Sequence, residues 1–230
     1  MQAGLRLFVF AVAVSAALAQ DASPREPAAE PTDDPAPVHP RVQIETDLGE
    51  FVVELDSEKA PKSVENFLKY VDAKYYDGTI FHRIIGKFMI QAGGFTAIGE
   101  PKPSELHETP VENEGNNGLK NVRGAIAMAR SKKPNSATSQ FFINVVDNPK
   151  LDYPSPDGSG YAVFGRVISG MDVVDRIKSV EVRAASTGEL SQPISPPTIR
   201  SARRVNRPAE TSRPAPEETD NDNEDGERAP

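Results

Sequence analysis

The sequence predicts a mainly β fold, a closed antiparallel β-barrel capped by two α-helices. Three observations carry that expectation. Between Arg41 and Asn206 short strand-like apolar runs follow one another with loops between them. Only two stretches show the spacing of a helix with one buried side. Closure into a barrel would leave no exposed sheet edge, which suits a soluble domain made of many short strands.

The elements follow in order. Val42, Ile44 and Thr46 alternate, and Phe51, Val53 and Leu55 alternate again after Asp47-Leu48-Gly49, which predicts a hairpin with a Gly-containing turn. A helix is expected to begin near Pro61, a residue favoured in the first helical turn. Within it Val64, Phe67, Leu68 and Val71 fall at i, i+3, i+4 and i+7 and form one apolar stripe. Strand-like runs follow at 81–91, 124–130, 140–146 and 161–168. A short second helix is expected at 171–179, burying Val173, Val174 and Ile177, and a last strand within 197–205.

Both ends of the chain have a different character. Met1–Arg6 carries one positive charge, residues 7–18 are almost wholly apolar, and Ala17-Leu18-Ala19 has the small-x-small pattern of a signal-peptidase site. A cleaved signal peptide at 1–19 is therefore expected. Its apolar stretch of about a dozen residues is short for a bilayer span at roughly 1.5 Å per helical residue. Residues 21–40 hold six prolines and five acids against Arg25, and residues 207–230 hold eight acids against three arginines, with alanine as the only apolar type. Neither segment can bury enough apolar surface to offset chain entropy, so both are expected to be disordered. The organisation read from the sequence is signal 1–19, linker 20–40, folded domain 41–206 and acidic tail 207–230. The net charge of −8 belongs to the linker and the tail, and the middle segment is neutral overall. The chain has no cysteine, which excludes disulfides, a thiol nucleophile and cysteine-ligated zinc.

The chemistry-bearing run is Phe81-His82-Arg83-Ile84-Ile85-Gly86-Lys87-Phe88-Met89-Ile90-Gln91, a permanent cation and an amide among large apolar side chains. Burying an arginine in an apolar strand is costly and asks for a reason. Ser139-Gln140-Phe141-Phe142-Ile143-Asn144 repeats the theme of an amide among aromatics. Taken alone, Phe88, Met89 and Phe142 could be ordinary barrel core, and Gln91 and Gln140 could be buried amides satisfying loop backbone groups.

Together the two segments resemble the signature of the cyclophilins, the cyclosporin-binding family of peptidyl-prolyl cis-trans isomerases. The resemblance covers about 160 residues, has four motifs in order, and implies an eight-stranded barrel with two capping helices. It implies that Arg83 is the catalytic cation, with Gln91 beside it, and that Phe88 and Met89 line the proline pocket. It places Met128, Ala129, Gln140, Phe142, Leu151 and Tyr161 along the substrate groove. Met128-Ala129-Arg130 and Asn135-Ser136-Ala137-Thr138-Ser139-Gln140 look more like bacterial exported members than eukaryotic cytosolic ones, which points to the periplasm, with secretion as the alternative. The implied partners are proline-containing polypeptides. No cofactor, metal, nucleic acid or lasting membrane attachment is implied, and a monomer is expected. The alternative function is a non-catalytic module that holds proline-containing segments in the same groove.

Departures from the family pattern are specific. Gly86-Lys87 stands where many members have Pro-Gly, and Ala92 where many bacterial members have Gly. Lys150 stands where cyclosporin-sensitive members carry Trp, so weak inhibition by the drug is expected, and Tyr161 stands where many eukaryotic members carry His. His82 lies next to Arg83 and strand alternation turns it to the opposite face, so a structural role is expected. His39 and His107 are dispersed, Ser136 and Ser139 lack a nucleophile-elbow setting, and Asp147, Asp152 and Asp157 lack the calcium-loop pattern and are read as surface turns.

Overall fold

The computed structural model describes residues 39–205. The expected signal 1–19, the linker as far as residue 38 and the tail 207–230 lie outside the described residues. The chain opens with the expected hairpin, β1 (Arg41–Thr46) and β2 (Gly49–Leu55), in which Thr46 pairs with Gly49 across a two-residue turn. The helix α1 (Pro61–Asp72) follows and buries Val64, Phe67, Leu68 and Val71, as their spacing requires. Its N-cap residue Ala60 makes no side-chain cap. Glu114, from a loop fifty residues on, accepts from the Lys62 and Ser63 backbone N–H groups at 3.0 and 2.8 Å and supplies the missing partners.

The run 81–91 is not one strand. It forms a hairpin, β3 (Arg83–Ile85) and β4 (Met89–Ala92), turned at Gly86-Lys87-Phe88 by a Phe88 N–H to Ile85 C=O bond of 2.8 Å. Next come β5 (Ala125–Met128), β6 (Phe141–Asn144), β7 (Val163–Ser169) and the helix α2 (Met171–Lys178), which buries Val173, Val174 and Ile177 as expected. A second, two-stranded sheet then appears in a stretch for which no element was expected, β8 (Val182–Ala184) with β9 (Leu190–Pro193). The final strand β10 (Ile199–Val205) falls where it was expected.

Eight strands form one antiparallel sheet in the order β10-β1-β2-β7-β5-β6-β4-β3. Closure was the overstated part of the expectation: the sheet is a curled half-barrel. Its edge strands β3 and β10 share no ladder. Only a single bridge, Ile80 with Thr198, and nearby backbone bonds such as Phe81 N–H to Pro197 C=O at 2.9 Å connect the two edges. Edge strand β3 has only three residues, and β9 of the second sheet lies against it.

Strand alternation divides the side chains between two apolar clusters. Ile84, Ile90, Ile126, Met128, Phe141, Ile143 and Phe164 point into the main core with the stripe of α1. Met89, Ala125, Ala127, Phe142 and Val163 point the other way and form a smaller cluster on the outer face of β4, β5, β6 and β7.

Candidate active site

The hairpin turn at 86–88 assembles the site from a contiguous run. It sets Arg83 directly opposite Gln91, and Ile85 opposite Met89, so all four side chains share the outer face. Strand β6 then lays Phe142 opposite Gln91. Met89 and Phe142 are buried in the small cluster, with Ile85, Phe88, Ala129, Leu151 and Tyr161 partly buried against it. The result is an apolar patch on the outer face with a guanidinium at its edge.

Two amides fix the floor beside the cation. Gln91 Nε2 donates to Gln140 Oε1 at 2.8 Å, while Gln91 Oε1 accepts from Arg83 Nη1 at 3.5 Å. The residue after Gly93 has to be small: a Cβ on Gly94 would lie 2.6 Å from the Gln140 side chain. Gly93 itself has φ +84° and sits against the Ser139 carbonyl. The chain therefore carries Ala at position 92, while Gly93 packs against Ser139, Tyr76 and Phe141 and Gly94 against Gln140.

Arg83 has a partner that the sequence did not suggest. Its Nε and Nη2 donate to Glu189 Oε2 and Oε1 at 2.7 and 2.8 Å, a bidentate pair. The guanidinium beside Glu189 holds that carboxyl below its ordinary pKa. Glu189 comes from the turn between β8 and β9, 106 residues away, and an acid in a Gly-containing turn gives no signal in the sequence.

The far rim hangs on a chain of asparagines. Asn148 Nδ2 donates to the Phe88 carbonyl at 2.9 Å and to Asn144 Oδ1 at 2.7 Å, and Asn144 Nδ2 donates to Asn121 Oδ1 at 3.2 Å. Asp152 Oδ1 accepts from the Asn121 backbone N–H at 2.7 Å, and Tyr161 N–H donates to the Leu151 carbonyl at 2.9 Å. These bonds tie Phe88, Leu151 and Tyr161 to one framework. Asp152, read as a surface turn, is instead an anchor, and Asp147 accepts from the Arg123 backbone N–H at 2.8 Å. Asp157 pairs with Arg130 at 2.8 Å. Arg130 is only 2 % exposed, donates to the Gly160 carbonyl, and lies 4.4 Å from the centre of the Tyr161 ring. Tyr161 in turn meets Phe142 edge-on at 5.7 Å. Arg130's supporting role was missed, although its place one residue after Ala129 in the motif was the available signal. Lys150 is exposed beside Leu151 and adds no aromatic surface to the rim.

One expected groove residue is not there. The Met128 side chain is in the main core, because on β5 residues 125 and 127 face outward and 126 and 128 inward. Ala129 regains the outer face, and its N–H donates to the Gln140 carbonyl at 3.0 Å. His82, on the other side of the backbone from Arg83, packs on Phe95 with ring centres 4.5 Å apart. Burial drives its pKa down to about 4, so it is neutral near pH 7. His82, Arg83, Phe95, Ile98, Glu189 and Ile194 line a trough of about 1050 Å³ that includes none of the apolar cluster residues.

The fold and site define a protein with an apolar cluster on the outer face of its sheet and a fixed cation beside it. Residues 41–204 match the family described as cyclophilin type peptidyl-prolyl cis-trans isomerase/CLD. The chain belongs to that family. It is 51 % identical over 164 residues to the peptidyl-prolyl cis-trans isomerase cyp18 of Streptomyces antibioticus, covering 70 % of this chain and 96 % of that one. It is 51 % identical over 141 residues to peptidyl-prolyl cis-trans isomerase B of Escherichia coli, covering 60 % and 84 %. The crystal structure of a Cryptosporidium parvum cyclophilin type peptidyl-prolyl cis-trans isomerase aligns with a TM-score of 0.59 at 28 % identity, covering 74 % of this chain and all of that one. A second structure of that protein, determined in the presence of the dipeptide Ala-Pro, aligns at 0.58 and 29 % identity, covering 73 % and 99 %.

Proposed function

We propose that this cyclophilin-type isomerase turns X–Pro bonds of polypeptides in the groove bounded by Arg83, Met89 and Phe142, and that it assists the folding of exported proteins. Rotation about a peptide bond faces a barrier of roughly 18–20 kcal/mol because resonance gives the C–N bond double-bond character. No bond has to break; the site has only to hold the twisted amide more tightly than either planar form. On twisting, the prolyl nitrogen loses conjugation and regains a lone pair. A donor aimed at that lone pair makes a contact that is useful only in the transition state. Arg83 suits the task, since a guanidinium stays charged at ordinary pH.

The observation that carries this reading is the register of the β3–β4 hairpin, which brings the guanidinium of Arg83 to the edge of the Met89–Phe142 cluster. The apolar side chains grip the pyrrolidine ring, and the linked amides Gln91 and Gln140 offer hydrogen bonds to the flanking backbone. A relative whose structure was determined with Ala-Pro supports a proline-containing ligand. Arg83→Ala in a proline-limited peptide assay tests it: kcat/KM is expected to fall by about 10²-fold or more. Equal rates in the two proteins would leave the binding-module alternative. The reading of export is supported by the sequence of residues 1–19 and by the resemblance of 128–130 and 135–140 to bacterial exported members. Cell fractionation with N-terminal sequencing is expected to find a mature chain starting at Gln20 in the periplasm.

A further inference from the structure

We propose that Glu189 is a positioning residue for the isomerisation, clamping one side of the Arg83 guanidinium so that Nη1 is left facing the groove. The proposal rests on the reading of Arg83 as the catalytic cation. A guanidinium carries five N–H donors in a rigid fork, but the stem that carries it is long and rotatable. Without an anchor the fork samples several orientations, and only some aim a donor at the substrate. Glu189 takes the Nε and Nη2 edge in two short bonds. What remains free of that clamp is Nη1, which lies 3.5 Å from Gln91 Oε1 and 4.0 Å from Met89 Sδ, at the border of the apolar cluster. Gln91 is itself held by Gln140 at 2.8 Å, so both sides of the cation are fixed.

The carboxylate is delivered by a built element. The turn between β8 and β9 is closed by Ala185 N–H to Glu189 C=O at 2.8 Å and Gly188 N–H to Ala185 C=O at 2.9 Å. Strand β9 lies against β3, the strand that carries Arg83. The side chains of Arg83 and Glu189 are 35 % and 40 % exposed. An ion pair so open to water adds little to fold stability. Its geometric effect on Arg83 is therefore separable from any effect on folding.

The test uses the full chain, with kcat and KM measured separately on a proline-containing peptide for wild type, Glu189→Gln, Arg83→Ala and the double variant. Glu189→Gln is expected to lower kcat about tenfold with KM within about twofold, the cost of a misaimed donor. The thermal midpoint should not move. The Arg83 Nε–H resonance, protected in wild type by the carboxylate, should be lost to solvent exchange in Glu189→Gln. In the Arg83→Ala background, the second substitution should change nothing further. An unchanged or raised kcat in Glu189→Gln overturns the proposal, as does an equal loss in the Arg83→Ala background. If Arg83→Ala keeps the full rate, the assignment of Arg83 itself falls; if Arg83→Ala is crippled and Glu189→Gln is not, only the clamp falls.

Discussion

On one side of Arg83 lies an apolar wall of Met89, Phe142 and their neighbours, carried by strands of the main sheet. On the other side lies the β8–β9 hairpin, which belongs to a separate two-stranded sheet and contributes a carboxylate. The first wall is built from motif residues on neighbouring strands whose outward direction follows from alternation. The second depends on a turn 106 residues distant meeting the same side chain. In the proposed mechanism one wall would recognise the proline ring by shape and desolvation, while the other would act on the cation by geometry. The difference teaches that the residues that bind and the residues that aim can come from different layers of one fold.

Beyond the loss expected for Arg83→Ala, the apolar wall can be broken by Phe142→Leu. That change keeps the cluster filled but removes the flat ring that meets Tyr161 edge-on. We expect kcat/KM to fall about tenfold, while unfolding in urea shows a stability loss of about 1 kcal/mol. Equal activity of the two proteins would mean that Phe142 is core and not pocket. Gly94→Ala probes the junction of the two walls, since the new methyl must push Gln140 away from Gln91. An activity loss of about fivefold is expected with secondary structure retained by circular dichroism, the size of one displaced hydrogen bond. A fully active variant would show that the amide pair is not needed.

Lys150→Trp would sharpen the comparison from the rim. The residue is exposed next to Leu151, so the substitution has room. Cyclosporin inhibition is expected to strengthen about tenfold in a titration of isomerase activity, from added aromatic area and an indole donor. Wild-type inhibition at submicromolar drug would refute the expectation that Lys150 weakens binding.

The smallest effect is on pH dependence, where the two sides of Arg83 again differ. No group used in the proposed mechanism titrates near neutrality, and His82, behind Arg83, is held neutral with a pKa of about 4. The rate should be flat from about pH 6 to 8. Stability should not be. An unfolded histidine takes up a proton near pH 6.5, whereas folded His82 resists until about pH 4. Between those values the unfolded state binds the extra proton, so stability falls as pH falls through this window. His82→Gln should remove that component from a series of thermal midpoints, leaving the shallower loss from carboxylates at lower pH. Midpoint curves that superimpose would contradict the burial argument.

Much of the fold and of the apolar wall was legible because it depends on local periodicity. The α1 stripe, the β1–β2 hairpin and the inward set of α2 follow from side-chain direction along regular backbone. Arg83, Gln91, Phe88, Met89, Phe142, Leu151 and Tyr161 do meet at one place. The errors came where spacing is silent. The apolar residues on both sides of Gly86-Lys87 were read as one strand and hid the turn at 86–88, and Met128 was carried along with Ala129 although adjacent strand residues face opposite ways. The β8–β9 hairpin has few apolar residues and gave no periodic signal.

By itself, then, the sequence determined both helices and most of the strands, the apolar character of the site and the presence of an arginine beside it. Those properties depend on neighbours within a few residues. Only the tertiary structure decided that β3 and β10 would stop short of a closed ladder. It alone brought Glu114 to the start of α1, Arg130 beneath Tyr161 and Glu189 onto Arg83. The reason is physical: these charged contacts join side chains far apart in the chain, and their partners are chosen by how the strands stack. Periodicity sets which face a side chain takes, but only packing sets what that face meets.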